Sequence, residues 1–186
     1  DSFINVARAT HPEIFKKCYN KMDRSLEWED YSGDIKNDFA TMVNNCLVNN
    51  STNDKGVILA GPPGSGKTFL VRVYLSQNKD VSDIVIKKEH LHDSIDPING
   101  PIEKLAEAYN IAKMVSPTVV FIDEGDEVAK VRKGSIEDML TNKFLNILDG
   151  DDPLYNVFTV LTTNQLRMID PAVIRSKRLA VLDVRG

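Results

Sequence analysis

Gly56-Val57-Ile58-Leu59-Ala60-Gly61-Pro62-Pro63-Gly64-Ser65-Gly66-Lys67-Thr68 joins a short apolar run to a glycine-rich turn. Residues 61–68 satisfy the pattern G-x-x-x-x-G-K-[ST] in full. The five residues before them read as a buried strand, and those from Phe69 to Leu75 as the start of a helix. Strand, turn and helix are the setting this pattern requires. There the turn's N–H groups and the helix N-terminus converge on an anion. The reading is a nucleotide phosphate site built from Pro62, Pro63, Gly64, Ser65, Gly66, Lys67, Thr68 and Phe69. Lys67 would reach the β- and γ-phosphates, and the Thr68 hydroxyl would ligate Mg²⁺.

Outward from this loop the chain alternates between strand and helix. Residues 83–87, 118–122, 157–161 and 179–184 read as further strands. Thr118-Val119-Val120-Phe121-Ile122 is continuously apolar, as expected of a strand buried on both faces. Helical patterns cover 35–48, 101–115 and 136–148, the second with Ile102, Leu105 and Ala112 inward. Residues 49–54 and 92–101 are rich in Asn, Asp, Ser, Pro or Gly and read as loops. Alternation of this kind implies an α/β fold: a parallel sheet covered on both sides, with ligand at the carboxyl ends of the strands.

Asp123 and Glu124 emerge directly after the third strand. Asp123 is placed to hold Mg²⁺ opposite Thr68. Glu124 is placed to orient and activate a water that attacks the γ-phosphate. An acidic pair of this kind recruits water, which a phosphotransferase must exclude. No N-K-x-D segment for reading guanine is present. ATP hydrolysis is therefore preferred over GTP hydrolysis or small-molecule phosphorylation. Asn164, at the end of the next strand, could hydrogen-bond the lytic water or the γ-phosphate. Arg175 and Arg178 lie three apart and would share a face of a short helix; a solvated basic turn is the plainer alternative.

The 186 residues suit one domain, with 42% hydrophobic and 27% charged residues. A net charge of −4 argues against coating nucleic acid through bulk electrostatics, though not against a local basic loop, so a nucleic-acid partner is not favoured. No apolar run is long enough to span a bilayer. Cys18 and Cys46 read as buried free thiols, consistent with a reducing compartment; an intracellular, cytoplasmic setting is the expectation, with the organelle open. His90 and His92 form an isolated H-x-H and read as surface residues. Residues 1–27 read as a helical extension or linker. Thr10-His11-Pro12-Glu13 offers a capping box, and Ile14, Cys18 and Met22, with Phe15 and Tyr19, fall on one helical face. A chain beginning at Asp1 is expected to be a fragment or a processed product.

Taken together, these motifs resemble the large nucleotide-binding subdomain of an AAA ATPase. That branch of the AAA+ superfamily includes valosin-containing protein, katanin and the proteasomal ATPases. The likeness covers residues 28–186. Gly61–Thr68 resembles Walker A, Asp123 and Glu124 the end of Walker B, and Asn164 the sensor-1 asparagine. Trp28-Glu29-Asp30-Tyr31-Ser32-Gly33 resembles the entry segment that packs against adenine, which would make Tyr31, Ser32 and Gly33 nucleotide contacts. Asp170–Arg178 matches D-P-A-x-x-R-x-x-R. The resemblance implies a three-layer α/β/α sandwich with strand order 5-1-4-3-2. It also implies ATP and Mg²⁺ as ligands and arginine fingers at Arg175 and Arg178 that reach a neighbouring subunit's ATP. The assembly it implies is a homo-oligomeric ring, hexameric when the family's helical lid is present, that remodels a protein substrate. The lid is expected to lie outside these residues, leaving them weak in nucleotide binding and in ring assembly. A DNA-directed motor or loader and a slow nucleotide-gated scaffold are the alternatives.

The likeness has local departures. No aromatic occurs from His90 to Glu107, where threading members carry one in a pore loop; Ile95 is the apolar substitute. Gly125 replaces an apolar residue, Lys177 a glycine between the arginines, and Ser32 a glycine of the entry segment. Lys130, Arg132 and Lys133 read as a solvated basic loop, or else as a second pore loop.

Overall fold

The computed structural model describes residues 2–49, 55–150, 154–175 and 178–185. The predicted polar loop beyond Asn49, and Lys177, lie outside them. Five parallel strands form one sheet: β1 (Gly56–Ala60), β2 (Ser82–Ile86), β3 (Thr118–Ile122), β4 (Val157–Thr163) and β5 (Leu179–Asp183). Their spatial order is β2-β3-β4-β1-β5, which read from the other edge is the expected 5-1-4-3-2. In the central register Val57 lies between Val160 and Ala180, and Phe121 pairs with both Val85 and Val160.

Alternate strand residues serve opposite layers, because side chains switch faces at every residue. Ile58, Ile84, Ile86, Val120, Ile122 and Leu161 face one layer. That layer includes α2 (Pro12–Cys18), α6 (Asn99–Met114) and α7 (Met139–Asp149). Val57, Leu59, Val85, Val119, Phe158 and Val160 face the other. It includes α3 (Lys36–Leu47) and α4 (Lys67–Gln77). The result is a three-layer α/β/α sandwich. Among the described residues no helix is long and apolar enough to cross a membrane.

The amino-terminal segment shares this core. It opens with α1 (Ser2–Thr10), a helix the sequence reading did not separate from α2. Ala7, Ile14, Phe15 and Cys18 are buried in the same cluster as α6. The predicted capping box does not form. Thr10 instead ends α1, its hydroxyl donating to the Val6 carbonyl at 2.8 Å, and His11 precedes α2 without a side-chain cap. Met22 does not continue the α2 stripe. Tyr19 is extended and Asn20 takes φ +47°, so the chain turns and Met22 packs in the opposite layer.

That turn fastens the segment to the sheet edge. Tyr19 bridges Ile84, and Asn20 exchanges two hydrogen bonds with Asp83. The fully buried Asp83 carboxylate accepts the amides of Lys21 and Met22 at 2.9 and 3.1 Å, and the Arg24 guanidinium at 2.6 Å. Edge strand β2 is thereby partly covered. The predicted loop over 92–101 is shorter than expected: α5 (Lys88–His92) precedes it, and α6 already begins at Asn99. Leu105 and Ala112 are fully buried on α6 as expected, while Ile102 is only half-buried.

Candidate functional site

The phosphate loop connects β1 to α4 at the carboxyl end of the sheet. Gly64 and Gly66 sit at φ +76° and +91°, a backbone region that side chains strongly disfavour. Gly66 caps α4, so the first amides of that helix face the turn. Lys67 is folded along its own loop. Its Nζ donates to the Gly61 and Pro62 carbonyls at 2.7 and 2.8 Å and to Ser65 Oγ at 3.3 Å. Burial holds the Lys67 pKa below its ordinary value, against the pull of Asp123 and Glu124.

The acidic pair reaches the same place from β3. The Asp123 amide donates to the Ile86 carbonyl, which continues the parallel ladder one residue past the strand. Glu124 then takes φ +49°, a left-handed turn rare for a residue with a side chain. Thr162 on β4 binds this turn. Its Oγ1 accepts the Glu124 amide at 2.9 Å and donates to Asp123 Oδ1 at 3.0 Å. Its carbonyl accepts the Gly125 amide at 2.9 Å. The structure also accounts for Gly125, because a Cβ there would lie 2.5 Å from Leu161 Cγ. Thr163 Oγ1 donates to the Asp126 carboxylate and accepts the Gln165 amide.

These elements enclose a cleft of about 450 Å³. Pro63 to Phe69 line one side, and Asp123, Glu124, Thr162, Thr163 and Asn164 the other. The donor set suits a hard divalent cation: Thr68 supplies a hydroxyl, Asp123 a carboxylate, and both line the cleft. Among the described residues no cluster of three or more His, Cys, Asp or Glu could hold a metal unaided. Mg²⁺ is commonly held by one or two side chains together with phosphate oxygens.

The remaining predicted contacts lie around this cleft without lining it. Tyr31 is buried, its ring 6.3 Å from that of Phe69 and at an angle of 28°. The Tyr31 ring also crowds Gly33, where a Cβ would approach to 2.4 Å, and stands 3.4 Å from a Cβ placed on Gly66. Ser32 is exposed, and Pro62 contributes through its carbonyl to Lys67. Three cleft residues escaped the sequence reading. Thr162 and Thr163 are two, whose hydroxyls matter only once β3 and β4 are adjacent. The third is Arg72, which lines the cleft one helical turn after Thr68. Its guanidinium lies 5.9 Å from the Phe69 ring centre and 2.5 Å from Asp23. The spacing from Thr68 to Arg72 on a helix was the available signal.

Residues 171–174 form turns, in keeping with the turn alternative. The Asp170 carboxylate accepts the Ala172 amide at 2.8 Å, and the Val173 and Ile174 amides bond three residues back. Asp170 is buried and also receives the Arg132 amide and Nε, each at 3.0 Å. Arg132 thus ties an exposed loop to Asp170, its side chain still 40% exposed. Lys130 pairs with Glu137 at 3.0 Å. Arg178 binds Asp149 through Nε, at 2.7 Å, and Nη2, and its Nη1 donates to the Ala172 carbonyl. Arg175 is exposed and has no side-chain hydrogen bond among the described residues. His92 pairs with Glu127 at 2.6 Å; His90 Nδ1 lies 3.6 Å from the Cys18 thiol, which burial pushes up to about 11. Ile95 is fully exposed.

Strand order, phosphate loop and cleft define a P-loop nucleotide-binding α/β domain. The sequence profile of the family described as ATPase family associated with various cellular activities (AAA) matches residues 57–183. The chain belongs to this family of ATPases. It is 37% identical over 131 residues to the proteasome-activating nucleotidase of Aeropyrum pernix, covering 67% of this chain and 31% of that protein. It is 34% identical over 132 residues to a 26S proteasome regulatory subunit 6B homolog of Encephalitozoon cuniculi, covering 67% and 33%. A 29% identity over 192 aligned positions links it to Protein SAV of Sulfolobus acidocaldarius, covering 96% and 24%. The chain thus spans about a quarter to a third of the length of these relatives.

Proposed function

We propose that this chain is the ATP-hydrolysing module of an intracellular homo-oligomeric ring, a hexamer, that uses ATP turnover to remodel a protein. The observation that carries the reading is the single cleft holding an anion-binding loop, two carboxylates and Asn164. The loop amides and Lys67 bind the triphosphate and neutralise its charge. Mg²⁺, held by Thr68 and Asp123, would stabilise negative charge on the phosphate oxygens. Glu124 accepts the proton of the attacking water, and Asn164 orients that water or the γ-phosphate. Tyr31, behind Phe69 and beside Gly66 and Gly33, supports the base end of the nucleotide. Ring assembly and a protein substrate are supported by likeness to two relatives whose names tie them to the proteasome.

Within that reading the two arginines divide their work. Arg175, exposed and unpaired among the described residues, is free to reach the ATP of a neighbouring subunit. Arg178 is tied to Asp149 and the Ala172 carbonyl, and in this state braces the segment that carries Arg175. A supplied arginine can be worth about 10³–10⁵ in rate. In the full-length assembled protein, Arg175→Ala should keep ATP affinity within about threefold and lose at least about 10²-fold in turnover. Unchanged turnover would remove the trans-arginine role and, with it, the catalytic argument for a ring.

A further inference from the structure

The geometry points to Thr162 as a positioning residue that sets the acidic pair for use with Mg·ATP, an inference that rests on the hydrolytic reading above. Thr162 is 1% exposed, yet its hydroxyl lines the cleft between Asp123 and Glu124. One oxygen does two jobs. As an acceptor it takes the Glu124 amide, and as a donor it binds Asp123 Oδ1. Asp123 Oδ2 is left without a hydrogen-bond partner among the described residues, on a carboxylate whose orientation is already set. A carboxylate oriented in this way presents its second oxygen to a cation without first ordering itself.

The same hydroxyl bears on Glu124. The chain enters left-handed backbone at Glu124, a conformation that a residue with a Cβ adopts only when its surroundings enforce it. Two bonds from residue 162 enforce it: the hydroxyl holds the Glu124 amide, and the carbonyl holds the Gly125 amide. The carbonyl bond is independent of side chain and survives substitution. The hydroxyl bond does not. Thr162→Val, nearly equal in shape, therefore deletes the positioning contact while the main-chain clamp remains. Thr162→Ser restores the hydroxyl. Neighbouring Thr163 cannot substitute, because its hydroxyl is committed to Asp126 and the Gln165 amide.

The test is a Mg²⁺ titration of a fluorescent ADP analogue bound to the full-length protein, which reads binding and not turnover. Loss of an outer contact to a metal-holding carboxylate typically costs 10–100-fold. Thr162→Val should raise the Mg²⁺ concentration needed for half-maximal nucleotide binding by about tenfold. Affinity measured with excess EDTA should stay within about twofold of wild type, and Thr162→Ser should return the Mg²⁺ dependence to within about threefold. In turnover the effect should fall on kcat, with KM for ATP at saturating Mg²⁺ nearly unchanged. A Thr162→Val protein with wild-type Mg²⁺ dependence overturns the inference. If that variant does not fold, Thr162→Ala carries the same comparison. Failure of both to fold, beside a normal Thr162→Ser, would make the hydroxyl structural and also overturn it. A wild-type protein showing no Mg²⁺-dependent nucleotide binding would instead overturn the hydrolytic reading itself.

Discussion

Replacing Asp83 by Ala should release the amino-terminal segment from the sheet edge. The carboxylate is fully buried and accepts three donors, two of them amides and one the Arg24 guanidinium. Breaking a buried ion pair by removing one partner typically costs about 3–5 kcal/mol, because the other charge is left without compensation. Arg24 is 20% exposed, so it regains water more readily than a fully enclosed cation. The two amides add about 1–3 kcal/mol each if they stay buried. Detachment of residues 20–25 would let all three donors rehydrate, and this caps the total. The expected loss is about 3 kcal/mol, which in a chain of this size lowers Tm by roughly 6–12 °C. Calorimetry gives the stability, and hydrogen exchange at the Lys21 and Met22 amides shows whether the segment is freed. A loss below about 1 kcal/mol, with those amides still protected, would show that Asp83 does not hold the segment.

Two further outcomes follow from the same geometry. Burial opposes charge on Asp170, yet the Ala172 amide and Arg132 hold its pKa below the ordinary 3.8. Its contribution to stability is therefore complete above pH 3.8 and disappears as pH falls through the lower folded value. Asp170→Asn should be less stable than wild type at pH 7, and the gap should close below about pH 4. Urea unfolding across that range checks it, and a gap independent of pH would contradict it. Tyr31→Ala removes a buried ring packed between Phe69 and the glycines at 33 and 66. It should cost about 3 kcal/mol of stability and weaken ADP binding at least about fivefold by calorimetry, about 1 kcal/mol. Unchanged affinity would remove Tyr31 from the support of the nucleotide.

What was legible in the chain was local. Gly61–Thr68 and the apolar run 118–122 carry their meaning in consecutive residues, so sheet, loop and acidic pair could be read directly. What escaped depends on partners distant in sequence. Asp83 reads as one more charged residue on a strand until Lys21, Met22 and Arg24 fold over it. Arg178 reads like Arg175 until Asp149 is beside it. Thr162 passes as strand filling, since nothing in its neighbours along the chain shows that its hydroxyl will face Asp123 and Glu124. Between the short helix and the turn that the sequence left open after Asp170, the turn at 171–174 has a local cause: an Asp-Pro pair favours a side-chain-capped turn, and the Asp170 carboxylate takes the Ala172 amide.

Glu124 is the proposed base for ATP hydrolysis in the cleft. ATP binding and turnover compared in wild-type and Glu124→Gln full-length protein test that role. Removal of a general base typically costs about 10²–10⁴ in rate. The variant should bind ATP within a few-fold of wild type, retain it uncleaved, and turn over at least about 10²-fold more slowly. Hydrolysis at the wild-type rate would rule out Glu124 as the base.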